Sequence, residues 1–370
     1  MRILVNALSL GWLSGKHVLF GHLRQLAQHS PAEHEFVLLH RADTSLQELS
    51  DLTNVSGLLA PRSASHWTTR LAWETFSLPR ILREKSIDLY FSPTGTILPR
   101  SPVPQVTLAQ NPWCMVPGLQ RGWAEKAKAA IQRQAYRKAF READLMVYNS
   151  RHMRDLYQRN APGSTERSSV IVYQGIDEST FAAAKSATVT RVPSTVLAVS
   201  VMAHWKGAEI VVSAIDQLRQ QGIAAQLNLV GPWADPGYRR FVESEIVRRN
   251  LTSAVKIVGE VSRAELHTHY ATASVFCLMS SCESFGIPAV EAQAFGTPVV
   301  GSSTCAMAEV GAAGGEYFPP SDLSGIVTSL SRLLTDKTHW EQLSVAARQN
   351  AERFHWAECS VPLRQIFSIR

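Results

Sequence analysis

The chain has 370 residues, of which 45% are hydrophobic and 18% are charged. This length predicts two domains of ordinary size, and the absence of low-complexity tracts excludes a largely disordered protein. Lysine and arginine outnumber aspartate and glutamate, which gives a formal net charge of +6. This mild basic excess fits an anionic substrate or an anionic membrane surface, but a solvated basic surface explains it equally well.

Five cysteines are scattered along the chain without a C-x-x-C pair, at positions 114, 277, 282, 305 and 359. We therefore expect reduced thiols and a cytosolic protein. The N-terminus enters a strand-like run at once, without the features of a signal peptide. No apolar run reaches the roughly 18 residues that a spanning helix needs. The sequence thus predicts a protein that is soluble or peripherally attached to a membrane.

Strand-like apolar runs alternate with helix-length segments from end to end, which predicts an α/β protein with parallel sheets and helical crossovers. In the first half the predicted strands are 2–8, 35–40, 87–92, 105–110, 145–149 and 170–173. In the second half they are 195–201, 226–230, 255–258, 275–279 and 299–300. The small and polar segment 182–193 is the predicted linker, and the shared organisation of the halves indicates two Rossmann-like domains.

The loop after the first predicted strand, from Ser9 to Lys16, reads SLGWLSGK. It contains neither the G-x-G-x-x-G fingerprint of dinucleotide-binding folds nor a Walker A loop. A nicotinamide-dependent enzyme has the same fold class, but without this fingerprint it is disfavoured.

Two helical segments of the first half carry aromatic and basic side chains. Segment 65–85 is predicted to break at Pro79. Segment 121–143 has seven lysines and arginines against two glutamates, together with Trp123. Such a helix can rest on anionic lipid, or it can pack on the sheet and leave a solvated basic face. Nucleic acid is disfavoured because no base-stacking motif accompanies the charge.

In the second half, the apolar run 273–279 predicts a buried strand, followed by a small polar loop and a short helix. Pro288 opens this helix near its first position, and Gly296 closes it. Ligands of parallel sheets bind beyond the carboxyl ends of the strands, and a helix N-terminus attracts an anion. Gly286 and Ile287 are therefore candidates to offer backbone N–H groups to a phosphate.

Two carboxylates flank that helix start, Glu283 in the loop and Glu291 about one turn into the helix. Taken singly, Glu291 is explained as a solvated helix residue and Glu283 as a loop carboxylate stabilised by the helix dipole. Together, the spacing E-S-F-G-x-P-x-x-E followed by G-T-P-V-V resembles the E-x7-E signature of family-4 retaining glycosyltransferases with the GT-B fold. The resemblance implies that Glu283 lies against a donor sugar, and that Glu291 accepts hydrogen bonds from the ribose hydroxyls.

The resemblance assigns further donor contacts to backbone N–H groups between the two glutamates, on Ser284, Phe285, Gly286 and Ile287. In the loop after strand 195–201, Lys206 and Gly207 match the end of the family pattern G-R-x-x-x-x-K-G. The cations of that pattern bind the diphosphate, but Val201 stands where the arginine is expected. Lys206 is thus implied as a catalytic cation that stabilises the leaving diphosphate. A lone lysine at a helix start is otherwise only solvated.

The first half of the chain resembles the family at fewer positions. Asn111 is implied at the site because it stands where many family members have a histidine near the donor sugar, although an amide cannot act as a base. Gly15 matches the glycine loop that opens the first domain, and a plain strand-to-helix turn explains it equally well. Near the C-terminus, residues 354–356 resemble the f-s-W element that precedes the last helix of the family.

These matches imply two Rossmann-like domains facing a cleft: an acceptor-side domain at 1–182, a nucleotide-sugar domain at 194–350, and a C-terminal helix at 351–370 that crosses back to the first domain. The implied activity transfers a sugar from a UDP- or GDP-sugar to a carbohydrate or lipid-linked acceptor, in glycan, polysaccharide or glycolipid assembly. We expect retention of configuration, no metal, no other cofactor, and a cytoplasmic enzyme that is either soluble or peripheral on the inner face of the membrane. Two alternatives stay open, a catalytically silent nucleotide-sugar-binding protein and a GT-B epimerase or phosphorylase.

Overall fold

The computed structural model describes residues 1–9, 13–29, 32–188 and 190–368. The chain forms two compact units, the first made of Met1–Gly175 and Trp356–Arg370 and the second of Ile176–His355. Each unit is built on one parallel sheet with helical connections. Both units therefore have the α/β organisation that the sequence predicts.

The first unit contains a seven-stranded sheet within its described residues. Its strands are β1 (Arg2–Asn6), β2 (Glu35–His40), β3 (Val55–Leu59), β4 (Leu89–Ser92), β5 (Gln105–Ala109), β6 (Leu145–Tyr148) and β7 (Ser169–Ile171). Its helices before the second unit are α1 (Leu13–His29), α2 (Trp67–Phe76), α3 (Leu78–Glu84), α4 (Gly122–Glu142) and α5 (Arg151–Asn160). The strand order is β3-β2-β1-β4-β5-β6-β7.

The two faces of this sheet bury different helices. Val5 of β1 packs in one cluster with Leu19 of α1. Leu4, on the opposite face, packs in another cluster with Leu82 of α3. This alternation follows from the two-residue period of a strand, and it places Asn6 on the same face as Leu4.

The second unit contains a six-stranded sheet. Its strands are β8 (Thr195–Val199), β9 (Gln226–Val230), β10 (Val255–Gly259), β11 (Val275–Leu278), β12 (Val299–Ser302) and β13 (Gly315–Phe318). Its helices are α6 (Glu178–Ser186), α7 (Ala208–Gln220), α8 (Pro236–Arg248), α9 (Arg263–Thr272), α10 (Ile287–Ala294), α11 (Met307–Gly311), α12 (Leu323–Thr335) and α13 (Lys337–Ala351). The strand order is β10-β9-β8-β11-β12-β13.

The apolar runs of the sequence predict eleven of these strands, but β3 and β13 are not predicted. Both unpredicted strands lie at an edge of their sheet. No residue of either strand is fully buried. Edge strands of this kind lack the continuous apolar run that marks the buried strands of a parallel sheet.

The predicted linker, residues 182–193, is wrong because this segment lies inside the second unit. Its first residues belong to α6, which packs on α9 and α10. The guanidinium of Arg191 donates to the carbonyl oxygens of Ala273 and Phe295, each at 2.6 Å. The division between the units instead falls between Gly175 and Ile176.

The end of the chain belongs to the first unit as two short helices, α14 (Trp356–Cys359) and α15 (Val361–Ser368), rather than as one helix from residue 351. Both helices pack on α1. The ring of Trp356 lies against two glycines, Gly21 and Gly175, where an added Cβ would come within 2.3 and 2.6 Å of ring atoms. Glycine at both places allows this close approach.

The remaining helical predictions are confirmed with one correction. Segment 65–85 breaks at Ser77 rather than at Pro79, which is the second residue of α3, where its missing N–H removes no intrahelical hydrogen bond. The basic segment 121–143 forms α4, which packs on the sheet through Tyr136 and Phe140. Among the described residues, no helix is both long and apolar enough to span a membrane.

Candidate active site

The second sheet changes its winding direction between β8 and β11. These strands are neighbours, yet the chain continues from β8 to β9 on one side and from β11 to β12 on the other. The loops that follow β8 and β11 therefore diverge and leave a crevice at the carboxyl ends of the strands, which is where parallel sheets bind ligands. Lys206 lies in the first of these loops, and Glu283 lies in the second.

The structure brings Lys206 and Glu283 together in an ion pair. The Lys206 Nζ atom lies 2.5 Å from Glu283 Oε1, and each side chain is only 15% exposed. A pair with this little exposure is weakly screened, and loss of one partner leaves the other charge largely desolvated. The family resemblance implies that both residues lie near one ligand, but it did not predict their direct contact.

Backbone hydrogen bonds fasten the two loops to each other and to their surroundings. The Trp205 carbonyl oxygen accepts from the Ser281 N–H at 2.8 Å and from the Ser280 hydroxyl at 3.1 Å. The Glu283 carbonyl oxygen accepts from the Ala306 N–H at 3.2 Å. The ion pair is thus held on both sides by loops of fixed position.

Each loop ends in a glycine that opens a helix toward the ion pair. Gly207 caps α7 with φ 68°, and Gly286 caps α10 with φ 101°. An added Cβ at Gly207 would come 2.4 Å from the carbonyl oxygen of Met279, so this close approach requires glycine. Two helix N-termini, with their partial positive charge, therefore adjoin the side chains of Lys206 and Glu283.

Helix α10 begins and ends as its sequence predicts. Pro288 is its second residue, and Gly296 follows its C-cap with φ 69°. The Thr297 N–H bonds to the Ala292 carbonyl and the Gly296 N–H to the Gln293 carbonyl, which is the Schellman arrangement. The N-terminal position of Ile287 is thereby fixed, and its N–H has no acceptor within the helix.

The other predicted residues of this loop have mixed surroundings. Phe285 is buried and meets Phe354 edge to face, with 5.4 Å between ring centroids. Ser284 and Ile287 are half-buried. Phe285 therefore anchors the loop in the core, so any contact it makes with a ligand comes from its backbone.

Glu291 is 5% exposed and has a partner on each carboxylate oxygen. Oε2 accepts from the Tyr270 hydroxyl at 2.8 Å, and Oε1 pairs with the Arg263 guanidinium at 2.9 Å. Burial, and then the charge of Glu291, raise the pKa of Tyr270 well above its usual value. Glu291 is therefore not a solvated helix residue, although each oxygen keeps a second lone pair for a ligand hydroxyl.

Arg263 and Tyr270 were not predicted as site residues. They lie seven positions apart on α9, which places them on one face of that helix. The Nη1 atom of Arg263 pairs with Glu291, and its Nη2 atom donates to the Thr180 hydroxyl at 2.8 Å. Their seven-residue spacing is a signal in the sequence, but nothing in the sequence relates that helix face to Glu291.

Asn111 and Gly15 lie in the first unit. The side-chain oxygen of Asn111 accepts from the Trp113 N–H at 3.1 Å, so this amide stabilises its own turn after β5. Gly15 is the third residue of α1. Residues 10–12 of the predicted glycine loop lie outside the described residues.

The Cys305 thiol interacts electrostatically with the Glu283 carboxylate. Burial raises the pKa of the Cys305 thiol to about 12, and the Glu283 carboxylate adds to this shift. The thiol therefore stays protonated at neutral pH and is a poor nucleophile. Val201, at the position of the family arginine, is exposed to solvent.

Comparison with known proteins finds a family that matches part of the second unit. Residues 185–353 match the family described as glycosyl transferases group 1. A glycogen synthase from Mycobacterium tuberculosis is 25% identical over 256 residues, which are 68% of this chain and 60% of the relative. The chain thus spans 60% of that relative's length.

Two solved structures are similar over the full length. Sucrose-phosphate synthase from Thermosynechococcus elongatus has a TM-score of 0.76 at 18% identity, and all of both chains is covered. Anabaena HepE in complex with UDP and glucose has a TM-score of 0.74 at 17% identity, again with full coverage. These similarities show that the two sheets have the fold of GT-B glycosyltransferases. The match to the glycosyl transferases group 1 family lies in the second unit, over residues 185–353.

Proposed function

We propose that the protein is a retaining glycosyltransferase that moves a sugar from a nucleotide-diphosphate sugar to an acceptor hydroxyl. The observation that carries this proposal is the Lys206–Glu283 pair at the switch point of the second sheet, whose two residues shortly precede the N-termini of α7 and α10 in the chain. The family match over residues 185–353 supports it. We place the enzyme in the cytoplasm, in glycan, polysaccharide or glycolipid assembly.

In this mechanism the loops bind the diphosphate and stabilise it as it leaves. Lys206 and the N–H groups at the start of α10 offset the negative charge that develops on the leaving phosphate oxygen. Glu283 lies beside the sugar, where positive charge develops as the glycosidic bond breaks. Binding of the diphosphate draws Lys206 partly away from Glu283, so the ion pair holds both side chains ready in the free enzyme.

Retention through a covalent intermediate would need a nucleophile on the far face of the sugar. Cys305 does not suit this task because its thiol stays protonated. We therefore propose a front-face reaction, in which the leaving diphosphate accepts the proton of the acceptor hydroxyl. The protein then contributes electrostatic stabilisation and exclusion of water rather than a covalent bond.

Glu291 is proposed to accept from the ribose hydroxyls of the donor. Arg263 and Tyr270 hold its carboxylate in one orientation, and the remaining lone pairs are free for a diol. The nucleotide base of the donor is proposed from a similar solved structure rather than from these contacts. UDP is the nucleotide named in the HepE complex, which supports UDP-sugars as the first donors to test, with GDP-sugars next.

A donor screen tests the proposed function. UDP- and GDP-sugars are compared by calorimetry, and consumption of the best one is then followed with mono- and oligosaccharide acceptors. Tight donor binding with acceptor-dependent release of nucleotide is expected. Binding without turnover would instead favour the silent nucleotide-sugar-binding protein, a rival motivated by exposed Val201 at the arginine position. Epimerised or phosphorolysed product would favour the other rivals.

We also propose that turnover needs no divalent metal, because Lys206 and backbone donors stabilise the diphosphate. The donor reaction is run with excess chelator and then with added magnesium or manganese. Equal rates are expected. Loss of activity with chelator and recovery with metal would refute this account of the leaving group.

Membrane attachment is a further part of the proposal. Helix α4 buries Tyr136 and Phe140 against the sheet, but Trp123 and Ile131 are exposed on it beside the basic residues. Such a face can insert its apolar groups between anionic headgroups. We expect flotation with phosphatidylserine vesicles at low salt, release at high salt, and weaker binding by Trp123→Ser. Flotation that is independent of lipid charge and salt would contradict the idea.

A further inference from the structure

The first sheet has its own switch point, between β1 and β4. These strands are neighbours, but the chain continues from β1 to β2 and from β4 to β5 in opposite directions. A crevice is therefore expected at the carboxyl ends of this pair as well. The side chains at this edge are Asn6 at the end of β1, Tyr90 in β4 and Glu74 on α2.

These three side chains form a hydrogen-bonded cluster. The Asn6 amide donates to Glu74 Oε1 at 2.8 Å and to the Tyr90 hydroxyl at 2.7 Å. The side-chain oxygen of Asn6, Oδ1, accepts from the Leu8 N–H at 3.0 Å. Asn6 and Tyr90 are both buried, and both amide protons of Asn6 are used. The cluster therefore fixes the orientation of Glu74 relative to the sheet.

Glu74 has one oxygen engaged and one available. No hydrogen bond joins its Oε2 atom to any residue of the described ranges. The carboxyl is half-buried, and burial raises its pKa, with the Asn6 hydrogen bond and the charge of Arg70 opposing that shift. An oriented carboxylate with an unused oxygen in poorly solvated surroundings is poised to accept from a ligand hydroxyl.

Hydroxyl groups extend this edge along the loop after β4. Ser92, Thr94 and Thr96 form a chain of hydroxyls with separations of 2.7 and 2.6 Å. Thr94 and Thr96 are half-buried, so they border solvent at one end of the chain. Hydroxyls can both donate and accept, which suits a ligand that carries several hydroxyls of its own.

An apolar surface adjoins the carboxylate on α2. Trp67 and Leu71 lie seven and three positions before Glu74 and hence on the same face of the helix. They are 45% and 52% exposed. A sugar ring combines an apolar face with a rim of hydroxyls, and it can contact an indole and a carboxylate at once. Phe76 is also exposed but lies on the opposite face of α2.

We propose that this edge is a binding site for a pyranose ring of the acceptor, with adjacent ring hydroxyls donating to Glu74 Oε2 and one ring face resting on Trp67. The inference rests on the proposed glycosyltransferase function for its role, but the site lies within the first unit alone. An anionic ligand is disfavoured because the Glu74 carboxylate would repel it, while Arg70 is engaged by the Leu8 carbonyl at 2.9 Å.

The test uses the full chain and two simple probes, methyl α-D-glucopyranoside and methyl α-D-mannopyranoside, followed by saturation-transfer difference NMR. We expect at least one glycoside to bind the wild-type protein. Glu74→Gln should weaken its binding about tenfold to a hundredfold, because a charged acceptor is lost. Trp67→Ala should also weaken it. Phe76→Ala on the opposite face of α2 and Glu84→Gln at an exposed position of α3 should bind as the wild type does.

The folded state of the variants is checked by thermal unfolding. Glutamine keeps an acceptor for Asn6 and removes a charge whose burial is unfavourable, so Glu74→Gln should unfold at the wild-type temperature or above it at neutral pH. Trp67→Ala removes an exposed side chain and provides a second readout if Glu74→Gln is unstable. Either absence of binding by both glycosides or wild-type affinity in both variants would overturn the site.

Donor binding separates this inference from the proposed function. UDP and GDP affinities are measured by calorimetry on the same variants. Glu74→Gln should keep wild-type nucleotide affinity, because Lys206 and Glu283 belong to the other unit. Failure of the wild-type protein to bind any nucleotide would refute the proposed function, and would leave the sugar site as a binding site without this reaction.

Discussion

The two sheets end in crevices of the same topology but of opposite chemistry. At the β8/β11 edge, Lys206 and Glu283 form an ion pair, and each residue lies in a loop that leads into a helix N-terminus. At the β1/β4 edge the groups nearest the strands are an amide, a phenol and hydroxyls, with one half-buried carboxylate. The fold therefore fixes where each ligand binds, and the side chains fix its charge. The first edge suits an anionic diphosphate and the second a neutral polyol.

The two edges also differ in how completely their polar groups are hydrogen-bonded within the protein. Every hydrogen-bonding group of the Asn6 side chain has a partner within the protein, so its orientation does not depend on a ligand. Lys206, in contrast, has a single acidic partner among the described residues, and an ammonium group has three donors. A diphosphate can thus engage Lys206 without displacing other protein contacts. Substitutions at the two edges should therefore act on separate steps.

The largest expected effect is that of Lys206→Met on turnover. Loss of a charged donor at the leaving oxygen should lower the single-turnover rate about a hundredfold to a thousandfold. Glycoside binding at the β1/β4 edge should stay at the wild-type level. Rapid-quench measurement at saturating donor gives the rate, and NMR gives the glycoside affinity.

Lys256→Met is the matched control for Lys206→Met, because Lys256 is an exposed lysine of the same sheet. Since Lys206→Met also leaves Glu283 unpaired, the double variant with Glu283→Gln reports any loss caused by the stranded charge. Wild-type turnover in Lys206→Met would remove the ion pair from the mechanism. Loss of glycoside binding would show that the edges are not independent.

Glu283→Gln should have the next largest effect. The carboxylate stabilises positive charge that is greater in the transition state than in the ground state, so turnover should fall more than donor affinity. One lost charged interaction corresponds to about one to two decades in rate. Single-turnover kinetics and calorimetry on the same preparation measure both quantities. A larger fall in affinity than in rate would reassign Glu283 to ground-state binding.

Much of the β8/β11 edge could be predicted from the sequence, because its groups are close in sequence to recognisable boundaries. Glu283, Gly286 and Pro288 sit between an apolar strand and a helix with a glycine end, and this pattern needs only local rules. The partners of Glu291 depend instead on the packing of α9 against α10. Spacing along one helix cannot show which helix its face will meet.

Predictions failed where local composition misrepresented packing. Small polar residues at 182–186 suggested a linker, but they form the end of α6 within the second unit. Strands β3 and β13 were missed because edge strands keep exposed polar groups. The cluster around Glu74 gave no signal at all, since Asn6, Glu74 and Tyr90 are brought together only by sheet pairing and by the position of α2.

Glu291→Gln should act on donor affinity rather than on turnover. Glutamine is preferred to alanine here, because it leaves an acceptor for the Tyr270 hydroxyl. Ribose contacts are present in both the ground and transition states, so donor affinity should fall about tenfold while the saturated rate changes little. Calorimetry with UDP and with its 2′,3′-dideoxy analogue tests the assignment. The wild type and the variant should bind the dideoxy analogue with equal affinity, because the analogue lacks the ribose hydroxyls. An equal loss of affinity for both nucleotides in the variant would contradict a ribose contact.

Arg263→Gln should give the smallest effect, about threefold to tenfold in donor affinity. The Arg263 side chain is 43% exposed, so solvent screens its attraction to Glu291 and the pair is worth little by itself. Its role is instead to hold one oxygen of a nearly buried carboxylate in place while Tyr270 holds the other. Without Arg263, Glu291 keeps its charge and one fixed oxygen but gains rotational freedom, which weakens ribose binding through lost preorganisation.

Arg263→Gln should therefore weaken donor binding only when Glu291 is present. Donor affinities of the two single variants and of the double variant Arg263→Gln/Glu291→Gln form a double-mutant cycle. The double variant should bind the donor no more weakly than Glu291→Gln alone. Arg239→Gln, which removes an exposed arginine paired with Glu243 on α8, is the control for a general loss of charge. Additive losses in the cycle would mean that Arg263 contacts the nucleotide directly. Arg263 would then be a second cation of the β8/β11 edge, at which Val201 stands in place of the family arginine.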